Sequence, residues 1–584
     1  MYSTELGSTL KTNGIIIEEA EILHECKYDS SDDAFQDDGP FERDTGAAYD
    51  TLGQITVYAT AHMAAQFCTH IFSLLIFPKY ARLLRWDRAG VVVTERIPIV
   101  DSTLAEFYWR YGHATPAVRG HDTSVERVFD RVKAKTVCEA LGLDEECKLF
   151  RLKLGENGYI VGKKPTYMGI SSPTGRSTRT FRAFCEQDEK AVFLKDTWRV
   201  IIAGQLPEHQ IYLRLHANKV RNIAQLKEGA DISTHKTITH EAAEMLPSKD
   251  FPKIRKFRHY RLALDDIGRD LRAFSSVKEF VKAIHDATIG KLVCKQERTG
   301  YLTRNNVAHD DAFYEADVLH RDISVGNVII LNNGTGLLID WDLCKIMNPE
   351  SENEEQAVER TVSKHCYLDT KIDFEKGTWQ FAAARLLLGN NGPPHNREDD
   401  LESFYHVVNW MALRYTSHSL VSPMLTIELQ QIFDYSYRLP GGTAVGGGAK
   451  LNALLSGGTN RRAKFQSLPL AKLLEAIRKL VAVRYNDNPD SEAEQVDIDR
   501  YHSLVNRLSQ RHEFTSLFTK ALTSDQDWDA NGAKIDHKLV DLNPRAEKKR
   551  KSEIPELYHQ PVNLPTSKDD DEHPAKRRNI EPSK

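Results

Sequence analysis

Between Val318 and Leu343 the chain reads VLHRDISVGNVIILNNGTGLLIDWDL, in which a polar tract lies between apolar runs and a second apolar run ends in an acid. Asn327 follows Asp322 by five residues, and Asp340 follows Asn327 by thirteen. A carboxylate, an amide and a second carboxylate at this spacing suit phosphoryl transfer, which needs little covalent help but demands positioning and charge neutralisation. Asp322 can align an acceptor hydroxyl, while Asn327 and Asp340 can supply the oxygen ligands that Mg²⁺ prefers. The triplets Val328–Ile330 and Leu337–Ile339 read as hairpin strands that return Asp340 to the loop carrying Asp322 and Asn327. Three oxygen ligands then converge on one ion.

The elements that must hold this tract are legible on either side of it. From about residue 170, TFRAFC and AVFLKDTW read as strands. A helical pattern begins at Glu208 in EHQIYLRLHANKV, with apolar residues at Ile211, Leu215 and, more loosely, Val220. Further helices are expected in SSVKEFVKAIHDATIGKLV and in EDDLESFYHVVNWMALRY, the second apolar enough to be buried. Upstream, the run Ile71–Phe77 is far shorter than the roughly 20 residues of a membrane span and reads as a buried strand or core helix. YARLLRWDRAGVVVTERI reads as a hairpin with Asp87, Arg88 and Gly90 at its turn.

The motifs together resemble the fungal-type protein kinase family, within the protein-kinase-like superfamily. They are ARLLRWDRAGVVVTER (81–96), RGHDTSV (119–125), FLKDTWR (193–199), RHYRLAL (258–264), HRDISVGN (320–327), GTWQF (377–381) and REDDLESF (397–404). The resemblance covers roughly residues 45–415 and implies a two-lobed α+β fold, with a small β-rich lobe, a larger helical lobe and a nucleotide between them. It implies ATP and Mg²⁺ as cofactors and a Ser or Thr hydroxyl of a protein as acceptor. Asp322 would then be the catalytic carboxylate, and Asn327 and Asp340 the metal ligands. By the same resemblance, Lys195 would grip the α- and β-phosphates. Glu208 would position that lysine, although Gln210 occupies a rival frame. His320 and Asp400 would support the catalytic turn, with Asp399 an alternative to Asp400. Arg321 would face an activation segment in which Thr361 or Ser363 is the expected phosphosite.

Several positions depart from the pattern of that family's wider superfamily. Ser324 stands where kinases acting on Ser or Thr commonly carry a lysine, and Asp342 stands where the metal loop usually has glycine. The phosphate-covering stretch TGRSTRTF, Thr174–Phe181, offers one glycine, Gly175, so its hold on phosphate would rest on Arg176 and Arg179. After GTWQF the chain reads AAARLL, without the glutamate that often closes an ion pair in the large lobe. These departures leave two alternatives open: a catalytically impaired pseudokinase scaffold, or a small-molecule phosphotransferase of the aminoglycoside or choline kinase type, which Asp340-Trp341-Asp342 also resembles.

The 584 residues, 41% of them apolar, suffice for more than one core, and a formal charge of −5 gives no support to generic nucleic-acid or membrane binding. The eight cysteines are scattered, without metal-ligand spacing, which suits a reducing, intracellular compartment. The N-terminus lacks the pattern of a signal peptide. From Glu5 to Asp44 there are 12 acidic and 3 basic residues, a self-repelling composition expected to be unordered. The expected division is therefore an unordered acidic stretch over 1–45, an accessory region over 46–165, a β-rich lobe over 166–290, a helical lobe with insertions over 291–540 and an unordered tail over 541–584. Glu297–Asp311, Asn348–Glu359 and the Gly-rich Gly441–Gly458 read as insertions or linkers. The tail clusters RAEKKRK (545–551) and PAKRR (574–578) resemble nuclear localisation signals, implying a nuclear import receptor as partner and residence in the nucleus, the cytoplasm or both.

Overall fold

The computed structural model describes Met1 and residues 16–202, 204–245, 254–288, 308–347, 379–389, 394–439, 444–486, 495–524, 528 and 534–540. Thr361, Ser363, Asn348–Glu359 and both basic tail clusters lie outside the described residues.

Apolar runs of strand length in the first third build one sheet. It comprises β1 (Ile22–Cys26), β2 (His70–Ile76), β3 (Tyr80–Asp87), β4 (Gly90–Val93) and the short β5 (Ile97–Pro98). Helix α1 (Gly46–Ala65), capped by the Thr45 hydroxyl, packs on this sheet through Ile55, Ala59 and Met63. The β3–β4 hairpin turns between Asp87 and Gly90, as the sequence predicts.

The expectation of an unordered stretch over 1–45 is corrected for residues 16–45, while residues 2–15 lie outside the described residues. β1 pairs in parallel with β2, from Ile22 opposite Phe72 to Cys26 opposite Ile76. Asp33 is 0% exposed and accepts from Arg82 Nε at 3.1 and 3.0 Å and from the Tyr80 hydroxyl at 3.0 Å. Arg82 also reaches Asp37 Oδ1 at 2.7 Å. The acidic segment does not repel itself into solution, because its counter-charges arrive some fifty residues later on β3.

A second, eight-stranded sheet follows: β6 (Val125–Arg127), β7 (Leu149–Leu154), β8 (Asn157–Gly162), β9 (Tyr167–Met168), β10 (Arg179–Cys185), β11 (Lys190–Val200), β12 (Leu226–Lys236) and β13 (Phe257–Leu264). β11 lies between β10 and β13, the centre of the sheet, which explains why its residues Val192 and Leu194 are fully buried. β6, β7 and β8 come from before residue 166, so the boundary expected there cuts through one sheet. Glycine 158 and the residues around it had no motif to mark them as part of the lobe.

Helix α2 (Glu208–Ala217) packs below β12 and β13 through Ile211, Tyr212 and Leu215. The later chain is mainly helical, with α3 (Val277–Thr288), α4 (His309–Ala316), α5 (Arg397–Tyr415), α6 (Leu468–Ala482) and α7 (Glu513–Leu522). α5 is buried on nearly every side, as its apolar run predicts. Small antiparallel pieces hold the Val318–Leu343 tract: β14 (Arg269–Asp270), β15 (Val318–Leu319), β16 (Val328–Ile330), β17 (Gly336–Leu338) and β18 (Lys345–Ile346). This β-rich part followed by a helical part is the α+β fold expected of the resemblance. Among the described residues, no helix is long and apolar enough to cross a membrane.

Two stretches read as insertions prove partly regular. Residues 308–311 open into α4, and the Gly-rich stretch contains strand Ala444–Gly446 and helix Gly448–Ser456. Lys450 on that helix is 1% exposed and donates to the carbonyls of Trp379, Gln380 and Ala382 at 3.1, 3.0 and 2.9 Å. Burial pulls the pKa of its ammonium down to about 7, while the three carbonyls accept its hydrogen bonds.

Breaking a buried ion pair strands a charge, so Arg82→Ala is expected to cost about 3–5 kcal/mol of stability. A paired Asp33→Asn, Arg82→Met variant should lose less than the two single changes together. Denaturant unfolding of wild type, Arg82→Ala, Asp33→Asn, Arg82→Met and the double variant measures both quantities.

Candidate active site

The hairpin of β16 and β17 pairs Val328 with Leu338 and Ile330 with Gly336. Beyond it, the Ile339 amide donates to the Asn327 carbonyl at 3.0 Å, which sets Asp340 beside the loop that carries Asp322. The Asn327 side chain donates to the Asp322 carbonyl at 2.8 Å and stiffens that loop from within. β15 and β18 pair across its base, Val318 with Ile346 and Leu319 with Lys345.

His320 is buried at 0% exposure. Its Nδ1 accepts the Asp322 amide at 3.2 Å, which leaves the proton on Nε2 to donate to the Ile339 carbonyl at 3.1 Å. Burial pulls its pKa down to about 4, so the ring is a neutral pin between the two acidic segments at neutral pH. Trp341, fully buried, meets the His320 ring edge-on at 4.5 Å.

Asp400, in the first turn of α5, is also fully buried. Its Oδ2 accepts from the Arg321 amide at 3.1 Å and from His309 Nε2 at 3.0 Å, and its Oδ1 accepts from His395 Nε2 at 2.7 Å. Burial opposes its charge, but His395 and His309 outweigh that and hold the carboxyl well below the usual range. Asp399 does a different job. It closes the capping box with Asn396 and pairs with Arg385 and Arg484. Glu402 and Tyr485 join that network through Arg484, and Arg385 ties it to the AAARLL segment after GTWQF.

Lys195 on β11 is 4% exposed and lies among three carboxylates: Glu208 Oε2 at 2.8 Å, Asp340 Oδ1 at 2.6 Å and Asp342 Oδ2 at 3.0 Å. Glu208 is the first residue of α2, and its other oxygen accepts the Trp341 amide at 3.1 Å, whereas Gln210 is exposed. Burial works against the ammonium, but Asp340 and Glu208 outweigh it and raise its pKa. Asp340 is correspondingly lowered, since Lys195 and Arg176 overcome the cost of its burial.

The stretch read as phosphate-covering is the connection between β9 and β10. Gly175 sits there at φ +96°, a left-handed conformation suited to glycine, and donates its amide to the Arg88 carbonyl at 2.9 Å. Arg176 reaches down to form an ion pair with Asp342. Arg179 is corrected: it points away from the site, donating to the Met63 and Gln66 carbonyls at 2.6 and 2.8 Å at the end of α1. A cation there is favoured by the helix C-terminus.

Glu208, Asp340 and Asp342 each place a carboxylate oxygen within 4.8 Å of the others. Among the described residues, the buried Asp342 Oδ1 has no hydrogen-bond partner. An orphaned carboxylate oxygen in an oxygen-rich cluster fits a hard divalent cation. Asp340 and Asp342, with Asn327 on the adjoining loop, are the residues that would hold it. The contribution of Asp342 was hidden in the sequence, where it appeared only as a departure from glycine. Arg88 was equally hidden, because the turn that carries it lies far upstream of the loop it fastens.

The comparisons with known proteins agree with this geometry. The family model described as fungal protein kinase matches residues 41–412. The chain is also 23% identical over 135 residues to a probable serine/threonine-protein kinase, mkcF, of Dictyostelium discoideum. That alignment takes in 23% of this chain and 20% of mkcF, so the chain spans about a fifth of that relative's length. A family match across most of the chain, together with the Lys195–Glu208 pair and the pinned Asp322 loop, places this chain in the fungal protein kinase family.

Proposed function

We propose that the protein transfers the γ-phosphoryl group of Mg-ATP to Ser or Thr hydroxyls of a protein substrate. The single observation that carries this reading is the convergence of Lys195, Glu208 and Asp340 from three separate elements at 2.6–2.8 Å, beside the loop of Asp322. Mg²⁺, when bound, neutralises charge on the nucleotide phosphates. Lys195 and Arg176 hold phosphate oxygens, and Asp322 aligns the acceptor hydroxyl and takes its proton late in the transfer. Arg176 supplies a positive charge that Ser324 does not.

One observation favours a scaffold reading instead. Arg176 and Asp342 pair with each other beside Lys195, so the protein satisfies internally the charges that a nucleotide would use. An absence of Mg-dependent ATP affinity in the purified protein would select that reading. The small-molecule alternative rests on Asp340-Trp341-Asp342, and turnover with amino-alcohol or aminoglycoside acceptors but not with peptides would select it. Thr361 and Ser363 belong to the proposal as phosphosites facing Arg321, and the clusters at 545–551 and 574–578 as nuclear import signals.

Asp322→Ala is expected to lower turnover by about 10²–10⁴ while leaving ATP affinity nearly unchanged. Asp340→Asn should instead weaken Mg-dependent ATP binding. Autophosphorylation and nucleotide titration of the purified variants measure these effects, and equal labelling by wild type and Asp322→Ala would assign the activity to a contaminant. Arg176→Ala removes a hydrogen bond to a charged group, worth about 1.5–3 kcal/mol, and should raise KM for ATP roughly 10- to 100-fold. Steady-state kinetics at varied ATP decides this, and an unchanged KM would remove Arg176 from the phosphate site.

A further inference from the structure

A second cluster of titratable groups lies away from the catalytic loop, in the seam between the N-terminal region and the eight-stranded sheet. Asp122 comes from the segment just before β6, His235 from the irregular end of β12 and His259 from β13; they are 5%, 6% and 3% exposed. The two imidazoles stack with centroids 5.4 Å apart and present Nδ1 to Nδ1 at 3.1 Å. Asp122 turns both oxygens on this pair, Oδ1 at 3.6 Å from His235 Nδ1 and Oδ2 at 3.8 Å from His259 Nδ1.

Those two separations are too long for hydrogen bonds. They lie a few tenths of an ångström beyond the spacing of neighbouring donors around a small transition metal, since ligands at ~2.0–2.2 Å from tetrahedral Zn²⁺ stand roughly 3.3–3.5 Å apart, a gap that a small side-chain rotation closes. The surroundings fit as well. His259 Nε2 faces Asp196 Oδ1 at 2.7 Å, which places the ring proton on Nε2 and directs the Nδ1 lone pair at the cluster. A carboxylate behind a histidine is the usual outer partner of a metal-binding imidazole.

The carboxylates on either side of the pair are tied to each other. Asp122 and Asp196 share one guanidinium, that of the fully buried Arg261, through contacts of 2.9 and 2.7 Å. Ser124 satisfies part of Asp122 through its amide at 2.9 Å and its hydroxyl at 2.5 Å, but it brings no charge. Two carboxylates, two imidazoles and the Arg261 guanidinium thus meet in one buried seam. We propose that Asp122, His235 and His259 bind a divalent transition metal of the zinc class, which staples the segment before β6 to β12 and to β13, the neighbour of the strand that carries Lys195. Asp196, adjacent to Lys195 in the chain, links the metal site to that strand.

The test uses the full chain, stripped with a chelator, given zinc alone and dialysed before its metal content is measured by mass spectrometry. Wild type should retain about one zinc per chain, as a His₂-carboxylate site does, and melt at a higher temperature with zinc than without. His235→Ala and the more conservative His235→Gln should both lose the zinc and the thermal response. Asp340→Asn should keep both, which separates this site from the carboxylates around Lys195. Wild type without zinc after dialysis, or His235 variants that retain it in full, would overturn the proposal and leave a hydrogen-bonded histidine pair.

Discussion

The ammonium of Lys195 is the charge on which the arrangement of the two lobes depends. A buried cation must be paired, and its partners come from three places that share no local structure: Glu208 opens α2, while Asp340 and Asp342 follow the β16–β17 hairpin. Strand, helix and loop are thereby drawn to one point. With Arg176 included, two cations face three carboxylates, so the site keeps a net negative charge. Polyphosphate alone would add to that excess. A divalent cation would relieve it, and on the proposed reading that is the reason carboxylates, rather than further lysines, line the site.

Charge pairing alone would not give the catalytic loop its shape. Arg321 and Asp340 adopt φ of 69° and 66°, left-handed conformations that cost a non-glycine residue of order 1–3 kcal/mol each. Both are held from outside. Asp400 takes the amide of Arg321, and Glu208 takes the amide of Trp341 just after Asp340. Neutral His320 stitches the two strained turns together through Asp322 and Ile339. Each support is buried, so the strain cannot relax by exchanging a protein hydrogen bond for water.

How much of this could be read from the residues follows from the range over which each interaction acts. The hairpin that returns Asp340 was legible because strand, turn and strand lie within one short segment, where apolar pattern and turn chemistry suffice. The burial of α5 was legible for the same reason. The order of the acidic N-terminal segment was not, since Asp33 meets Arg82 across 49 residues and composition counts only the charges nearby. Arg179 illustrates a different failure. Its place in a basic turn suggested phosphate, yet the acceptors it finds are the carbonyls ending α1, which no local pattern reveals. Lys450 is similar, because a glycine-rich neighbourhood conceals a helix whose lysine finds its partners in the GTWQF segment.

These long-range polar contacts share a direction. Arg88 binds the connection between β9 and β10, Arg179 binds the end of α1, and Arg261 joins Asp122 to Asp196. All three guanidinium groups are nearly or fully buried, and each crosses between the N-terminal region and the sheet that carries Lys195. Apolar packing could have glued these surfaces together in several registers, because it is not directional. Forked donors that must each find their acceptors permit far fewer. The N-terminal region is therefore better regarded as part of the β-rich lobe than as an appendage to it: it fixes one end of the loop that carries Arg176, and through Asp196 it fixes the strand position next to Lys195.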